Sequence, residues 1–353
     1  MDPLTHTLVG ANLAATRLGE KTRLATAAFI IGANLPDVDS YYYFTGQSDI
    51  ALGFRRGWTH GVLALIVLPF LLTGLLLLYA KWRPDPIGDQ SRPDPIRPLW
   101  LLVISGIAVL THPFLDWLNN YGMRWLMPFD GTWSYGDSVF IMDPWLWVIL
   151  GCGWLAGKRP SPLLIGLWLI FTALLVWVVS GRAPEYVPLV IVVALIQLGA
   201  LFWRGKKSMA TVALVIAFAY IGARLAIHAV TALEVRNQLP GVQRLMVSPN
   251  PIDPRRWEVV AQMPDVYRYG RFTWATRTLS LADHRIPLPQ PAREWDIARR
   301  DPSIRGFMTW VRFPWYELER TPAGTTRVLI HDARYATRRR PGGGFGGVVV
   351  EVR

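Results

Sequence analysis

Residues 61–80 read GVLALIVLPFLLTGLLLLYA, a run without a single charge. About 20 apolar residues are what a helix needs to cross the roughly 30 Å hydrocarbon core of a bilayer. Blocks of similar length and character lie at 99–118, 163–180, 186–203 and 209–230. A shorter one, 139–157, is interrupted by Asp143-Pro144. The whole chain of 353 residues is 52% hydrophobic and only 18% charged, with 17 Trp, as befits a chain with much of its surface in lipid. The fold expected is a mainly α, polytopic membrane bundle.

After about Thr231 the lipid-length blocks stop. Short runs between turn residues follow: RWEVVAQM (256–263), YRYGRFTWATR (267–277), TRVLIHDARY (326–335) and GGVVVEVR (346–353). These predict strands. The chain is therefore expected to divide into a helical membrane domain, 1–230, and a β-rich soluble domain, 231–353. The net charge is +12, and residues 231–353 hold 20 Arg, no Lys and 12 acids. Arginine scattered through such a region serves solubility or contact with anionic headgroups, and without a nucleic-acid motif no nucleic-acid partner is expected. Cys152 is the single cysteine, so no intramolecular disulfide is expected. The start, MDPLTHTLVGANLAATRLGEK, lacks the basic leader of a cleavable signal peptide.

Lys and Arg favour cytoplasmic loops. Lys81, Arg83, Arg92 and Arg97 lie in the loop 81–98 between the first two strong spans, whose linker (83–98) repeats RPDP. Lys158 and Arg159, then Arg204, Lys206 and Lys207, fall on the same side. This assigns 81–98, 158–162 and 204–208 to the cytoplasm, and places the opposite face and the β domain outside it. The segments at about 5–18 and 22–35 fit the scheme as a helical hairpin with Arg17, Lys21 and Arg23 at its tip.

The polar residues that do not belong in lipid are His6 (PLTHTLVG), Asp37 and Asp39 (NLPDVDS), His60 (RRGWTHG), His112 and Asp116 (VLTHPFLDWLNNYG) and Asp143 (IMDPW). His60 opens one span while His112 and Asp116 close the next, antiparallel one. The open end of the hairpin brings His6 beside Asp37 and Asp39. The seven residues thus converge on one membrane face.

That set suits a metal. Residues i and i+4 share a helix face, so His112 and Asp116 can grip one ion with His60 as third ligand. Asp37 and Asp39 suit a loop where a carboxylate bridges two ions. Imidazoles with carboxylates match Zn, Mn or Fe better than Ca, as one ion or two. Two such ions activate water for attack at phosphorus or a carbonyl. Arg55 and Arg56 suit a substrate anion, and Asn119, Asn120 and Tyr121 suit orientation of ligands or substrate. Each motif has a simpler reading as well: an intrahelical hydrogen bond for His112 and Asp116, a helix start for PDVD, a cap for Asp143-Pro144, and headgroup anchoring for the arginines. His228, His284 and His331 stand outside the set.

At THTLVG, LPDVD, RGWTH, THPFLDWLNNYG and the DP at 143–144, in this order over roughly residues 1–150, the sequence resembles the membrane-bound, metal-dependent hydrolase family related to the LexA-regulated inner-membrane protein of enteric bacteria. A longer subgroup of that family is similar in architecture through the later spans and the β region. The resemblance implies a multi-pass protein of the bacterial inner membrane, with His6, Asp37, Asp39, His60, His112 and Asp116 as ligands. More remotely it is similar to zinc-dependent phospholipase C and related single-strand nucleases, which implies phosphodiester chemistry. The chain departs from many relatives in having Arg55 where they carry His and Gly61 where they carry Ser.

The expected function is a membrane-embedded, metal-dependent hydrolase acting on a phosphoester or lipid-type substrate, such as a lipid-linked phosphate. In this reading Asp37 or Asp39 acts as general base and Arg56 steadies the anion. Passage of ions or protons through the same residues, or a scaffold with a degenerate site, are the rival readings. The sequence sets no oligomeric state.

Overall fold

The computed structural model describes all residues except 47, 84–94, 158–160, 183–186, 203–206, 252, 323, 339–345 and 353. Residues 84–94 of the proline-rich linker, and Arg92, Lys158, Arg159, Arg204 and Lys206 among the basic residues used for orientation, lie outside the described residues. The helices, in chain order, are α1 (Pro3–Ala15), α2 (Ala25–Gly32), α3 (Tyr41–Phe44), α4 (Ser48–Phe54), α5 (Val62–Trp82), α6 (Pro98–Trp117), α7 (Pro144–Gly157), α8 (Pro162–Arg182), α9 (Val187–Phe202), α10 (Lys207–Gln238), α11 (Arg293–Ala298) and α12 (Arg305–Trp310). The chain divides into two compact units. One holds Met1–Pro36 and Thr59–Leu225; the other holds Asp37–Trp58 and Ala226–Arg353.

Each expected apolar block contains a helix, although α7 starts only at Pro144, after residues 139–143 of its block, and α10 runs on past the first unit. Among the described residues α5, α6 and α10 are long and apolar enough to cross a membrane. On α5, Leu72 and Leu76 are buried while Ile66, Phe70 and Leu71 are exposed. One face therefore packs on protein, and the other has the character of a surface that meets lipid. Thr73 donates to Ser105 across α5 and α6 at 3.2 Å, a buried polar contact of the kind that ties membrane helices together. Asp2 caps α1, accepting from Thr5 N at 3.1 Å, with Pro3 in the first turn where its missing N–H costs nothing. α1 and α2 form the expected hairpin, and Asn12 on α1 donates to Leu150 O on α7 at 2.8 Å. The apolar core of Ala28, Phe29, Leu72, Leu101, Ile104 and Ala108 joins α2, α5 and α6.

Gly32 sets how closely α2 lies on α6. A Cβ at this position would meet the Ala108 Cβ at 2.7 Å, so only glycine permits the approach. Gly122 does similar service after α6. Its φ of +86° turns the chain back, and Tyr135 packs where a side chain would stand. Met123 and Ser134 then pair as an isolated bridge, and Val62 N donates to Trp125 O at 2.8 Å. The start of α5 is thereby tied to the segment that follows α6.

In the second unit, β1 (Arg244–Pro249), β2 (Arg256–Gln262), β3 (Val266–Thr273) and β4 (Thr278–Pro287) form an antiparallel meander. β5 (Pro314–Arg320), β6 (Thr326–Asp332) and β7 (Gly347–Val352) form a second antiparallel sheet. The four expected strands correspond to β2, β3, β6 and β7; β1, β4 and β5 complete the sheets. Strand β2 is buried on both faces. Trp257, Val259 and Ala261 pack with Val235 and Leu239 from the end of α10, while Val260 packs with Phe313 and Trp315.

The division differs from the one expected at residue 230. α10 continues to Gln238, and Asp37–Trp58 belongs with the β-rich unit. The physical reason is a cap. The Asp49 carboxylate on α4 accepts Gly306 N at 3.0 Å and Phe307 N at 2.8 Å, closing the start of α12 from 257 residues away.

Candidate metal centre

His112 and Asp116 stand one turn apart near the end of α6, on the same side, and both are fully buried. Because Gly32 brings α2 so close, the carbonyl of the next residue, Ala33, lies 2.7 Å from His112 Nδ1. A carbonyl only accepts, so Nδ1 carries the proton, and in the neutral ring Nε2 is left as a lone pair. His60 sits just before α5, fully buried, with Thr59 Oγ1 2.9 Å from its Nδ1. Both histidines therefore have the backing partner that a metal-bound imidazole typically keeps on its second nitrogen.

Their remaining nitrogens meet the carboxylate. His60 Nε2 is 3.2 Å from His112 Nε2 and 3.3 Å from Asp116 Oδ2, and His112 Nε2 is 3.5 Å from that same oxygen. Ligands 2.0–2.2 Å from a tetrahedral ion are separated from one another by about 3.3–3.5 Å. The three donor atoms thus form a triangle of the size of one face of such a tetrahedron. The donor set, two neutral imidazoles and a carboxylate, is one that Zn, Mn or Fe accepts.

His6, on α1, touches the other side of the carboxylate. Its Nε2 is 3.3 Å from Asp116 Oδ1, and its ring stacks on that of His112 at 3.8 Å. His6 is fully buried, and neither of its ring nitrogens makes a hydrogen bond of good geometry among the described residues. A buried imidazole in that condition is costly unless a ligand completes it. The amino terminus of Met1 also donates to Asp116 Oδ1. Both carboxylate oxygens thus face cationic or cation-binding groups, which answers the cost of burying the charge.

The other expected residues are placed as follows. Asn119 Oδ1 accepts Tyr121 N at 2.9 Å, so Asn119, Asn120 and Tyr121 form the turn that ends α6. Asp143 caps α7, accepting Trp145 N at 2.9 Å and Leu146 N at 3.1 Å, and also accepts from the Tyr220 hydroxyl at 3.0 Å. Its simpler reading as a cap is the one seen. In the second unit, Arg55 Nη2 pairs with Asp37 Oδ1 at 2.9 Å, and Arg55 Nε lies 3.6 Å from Asp39 Oδ1. Arg56 N donates to Asp39 Oδ2 at 3.2 Å. Arg56 itself is buried in the left-handed region, φ +52°. Three supports lay outside the sequence reading. Thr59 stands in the quoted RGWTH motif, whereas the Ala33 carbonyl and the Met1 amino group are backbone atoms with no side-chain signature.

The family described as YdjM inner membrane protein matches residues 1–184, just over half of the chain. The chain belongs to this family. The match takes in all four histidine and aspartate positions of the first-unit centre, and it agrees with the apolar helices in making this a membrane protein. The uncharacterized protein YfhP of Bacillus subtilis (strain 168) is 25% identical over 181 residues, which are 48% of this chain and 51% of YfhP. The chain thus spans about half the length of that curated relative. No solved structure matches.

Proposed function

We propose that this YdjM-family protein is a membrane-embedded, metal-dependent hydrolase. The observation that carries the reading is the triangle of His60 Nε2, His112 Nε2 and Asp116 Oδ2, its edges 3.2, 3.3 and 3.5 Å, fully buried at the end of an apolar helix. His60, His112 and Asp116 hold a divalent ion, with zinc the best fit to two imidazoles and a carboxylate. Asp116 turns its second oxygen to His6, so a second ion, when bound, would find His6 and that oxygen as donors. Such an ion, when bound, supplies Lewis acidity and lowers the pKa of water.

The residues of the chain do the rest. The Ala33 carbonyl and Thr59 fix the two imidazole rings, and the apolar walls exclude bulk water. Asp37, Asp39 and Arg56 belong to the other unit, and their place in this proposal rests on chain order. A carboxylate of the PDVD motif acts as general base and Arg56 steadies the substrate anion, while Arg55 holds the carboxylates in place. The substrate is a phosphoester of lipid type, met at the extracytoplasmic face of the inner membrane, where the positive-inside assignment puts the centre and the β-rich unit. The phosphodiester as the bond attacked rests on analogy alone, from the motif resemblance noted in the sequence.

The test is lipid and metabolite profiling of cells producing the wild type or His112→Ala, followed by hydrolysis of the accumulating compound with purified, zinc-loaded protein. A phosphodiester that accumulates in the variant and is cleaved by the wild type supports the reading. Unchanged profiles, or proton flux across vesicles that needs His112, would instead favour a relay built from the same buried groups.

A further inference from the structure

Residues 37–58 hold an exposed row of aromatic rings. Phe44 is 87% exposed, Tyr41 65% and Trp58 48%, and Val38 and Ile50 are exposed as well. The rings are joined rather than scattered. Tyr41 meets the edge of Tyr42 at 6.2 Å, Tyr42 meets the edge of Phe54 at 5.5 Å, and Phe54 stacks with Trp58 at 6.3 Å. A contiguous apolar surface of this kind marks an interaction site. Four residues after Trp58 comes the start of α5, a membrane-length helix, so the chain itself keeps the row near the membrane surface. Tyrosine and tryptophan gather at that level, with the ring in the apolar boundary and the polar edge among headgroups.

The same unit sets cations beside the row. α4 crosses α12 at two glycines: a Cβ on Gly306 would meet Asp49 O at 1.8 Å, and one on Gly53 would meet Gly306 Cα at 3.0 Å, so the backbones meet directly. Phe54 follows the first glycine and Arg305 precedes the second. Arg305 then lines, with Arg299, Arg300 and Asp301, an open hollow of about 480 Å³. The acids nearby are committed: Asp296 pairs with Arg299 at 2.8 Å, and Asp301 accepts Ser303 N at 2.8 Å as a cap. Arg300 and Arg305 form no ion pair among the described residues. Their planar forks suit the oxygens of a phosphate.

We propose that the face made by α3, α4 and the turn from α11 to α12 docks on the bilayer and binds an anionic phospholipid. The row from Tyr41 to Trp58 lies at the level of the headgroups, and Arg300 and Arg305 hold the phosphate of the lipid. A free phosphate would use the arginines and leave the rings uncovered; an anionic lipid uses both. The inference stands apart from the metal centre and from the hydrolase reading.

The full chain is reconstituted in phosphatidylcholine vesicles that carry a trace of either phosphatidylglycerol or phosphatidylcholine with a diazirine beside the glycerol ester. On irradiation, residues 41–58 and 299–309 should both take label, as the exposed residues 66–71 of α5 do. Residues 299–309 should prefer the phosphatidylglycerol probe roughly tenfold, from the attraction of two arginines to an anionic headgroup. In Arg300→Ala/Arg305→Ala, two exposed positions, that preference should fall to the level of 66–71 while circular dichroism stays as in the wild type. No label on 41–58 in the wild type, or a preference kept in the folded double variant, overturns the proposal. So does a preference abolished by excess inorganic phosphate, which makes the hollow a site for a free anion. A cross-link between two copies through Thr45→Cys, in place of lipid label, overturns it too, since the face is then a contact between copies.

Discussion

His60 Nε2 and His112 Nε2 face one another at 3.2 Å inside a protein interior closed to solvent. The His112 proton is drawn to Nδ1 by the Ala33 carbonyl, so its Nε2 presents a lone pair to His60 and to Asp116. Two imidazole nitrogens and a carboxylate oxygen at this spacing are the donor triangle of the proposed cation site. Removing one of the three donors should weaken metal binding by more than about 100-fold, beyond the 10–100-fold typical of an outer-shell partner. Competition with a chelator of known affinity, comparing wild type with Asp116→Ala, measures it.

The backing partners should matter less, but measurably. Thr59→Val removes the hydroxyl 2.9 Å from His60 Nδ1 while keeping the side-chain shape. Metal affinity is expected to fall roughly 10–100-fold with the fold intact. The same chelator competition checks it, with circular dichroism as the control for folding.

Gly32 couples packing to the centre. Gly32→Val places a Cβ 2.7 Å from that of Ala108, forcing α2 from α6 and moving the Ala33 carbonyl away from His112. Overpacking of this kind typically costs about 1–3 kcal/mol. Here it should lower metal affinity as well, although residue 32 touches no ligand. A variant that loses stability but keeps wild-type affinity would contradict the coupling.

Much of this arrangement was legible in the sequence. Lipid-length blocks gave the helices, and the HxxxD spacing in 109–122 put His112 and Asp116 on one face of α6, as found. The antiparallel order of two spans brought His60 to them. Asp143 before Pro144 reads most simply as a cap, and its bonds to Trp145 and Leu146 show that cap. The association of residues 37–58 with the β-rich unit left no trace in composition, since it depends on Asp49 meeting two backbone amides far along the chain. Strands β1, β4 and β5 were not named from the sequence; in β4 the alternation is confined to Leu279 and Leu281, before the exposed stretch 282–285.

The β-rich unit offers its own tests. Asp332 and Arg334 pair at 2.7 Å with neither side chain exposed, and Arg334 also donates to Trp310 O at 3.1 Å and stacks on the Trp310 ring at 4.4 Å. Asp332→Ala leaves a buried guanidinium without its carboxylate, a loss of about 3–5 kcal/mol by the usual cost of breaking such pairs. Thermal or denaturant unfolding followed by tryptophan fluorescence reads it, because Trp310 lies against the pair.

Asp49→Ala should be milder. It removes the cap on Gly306 and Phe307, for which about 1 kcal/mol is typical. Amide exchange at Gly306 and Phe307 should quicken, while exchange in β2 and β3 stays as in the wild type.

The most direct test of the metal centre is elemental analysis of the purified full chain. The wild type should carry stoichiometric transition metal, zinc foremost, and the folded double variant His112→Ala/Asp116→Ala should carry none. A wild type without bound metal, or a double variant that keeps it in full, would contradict the account.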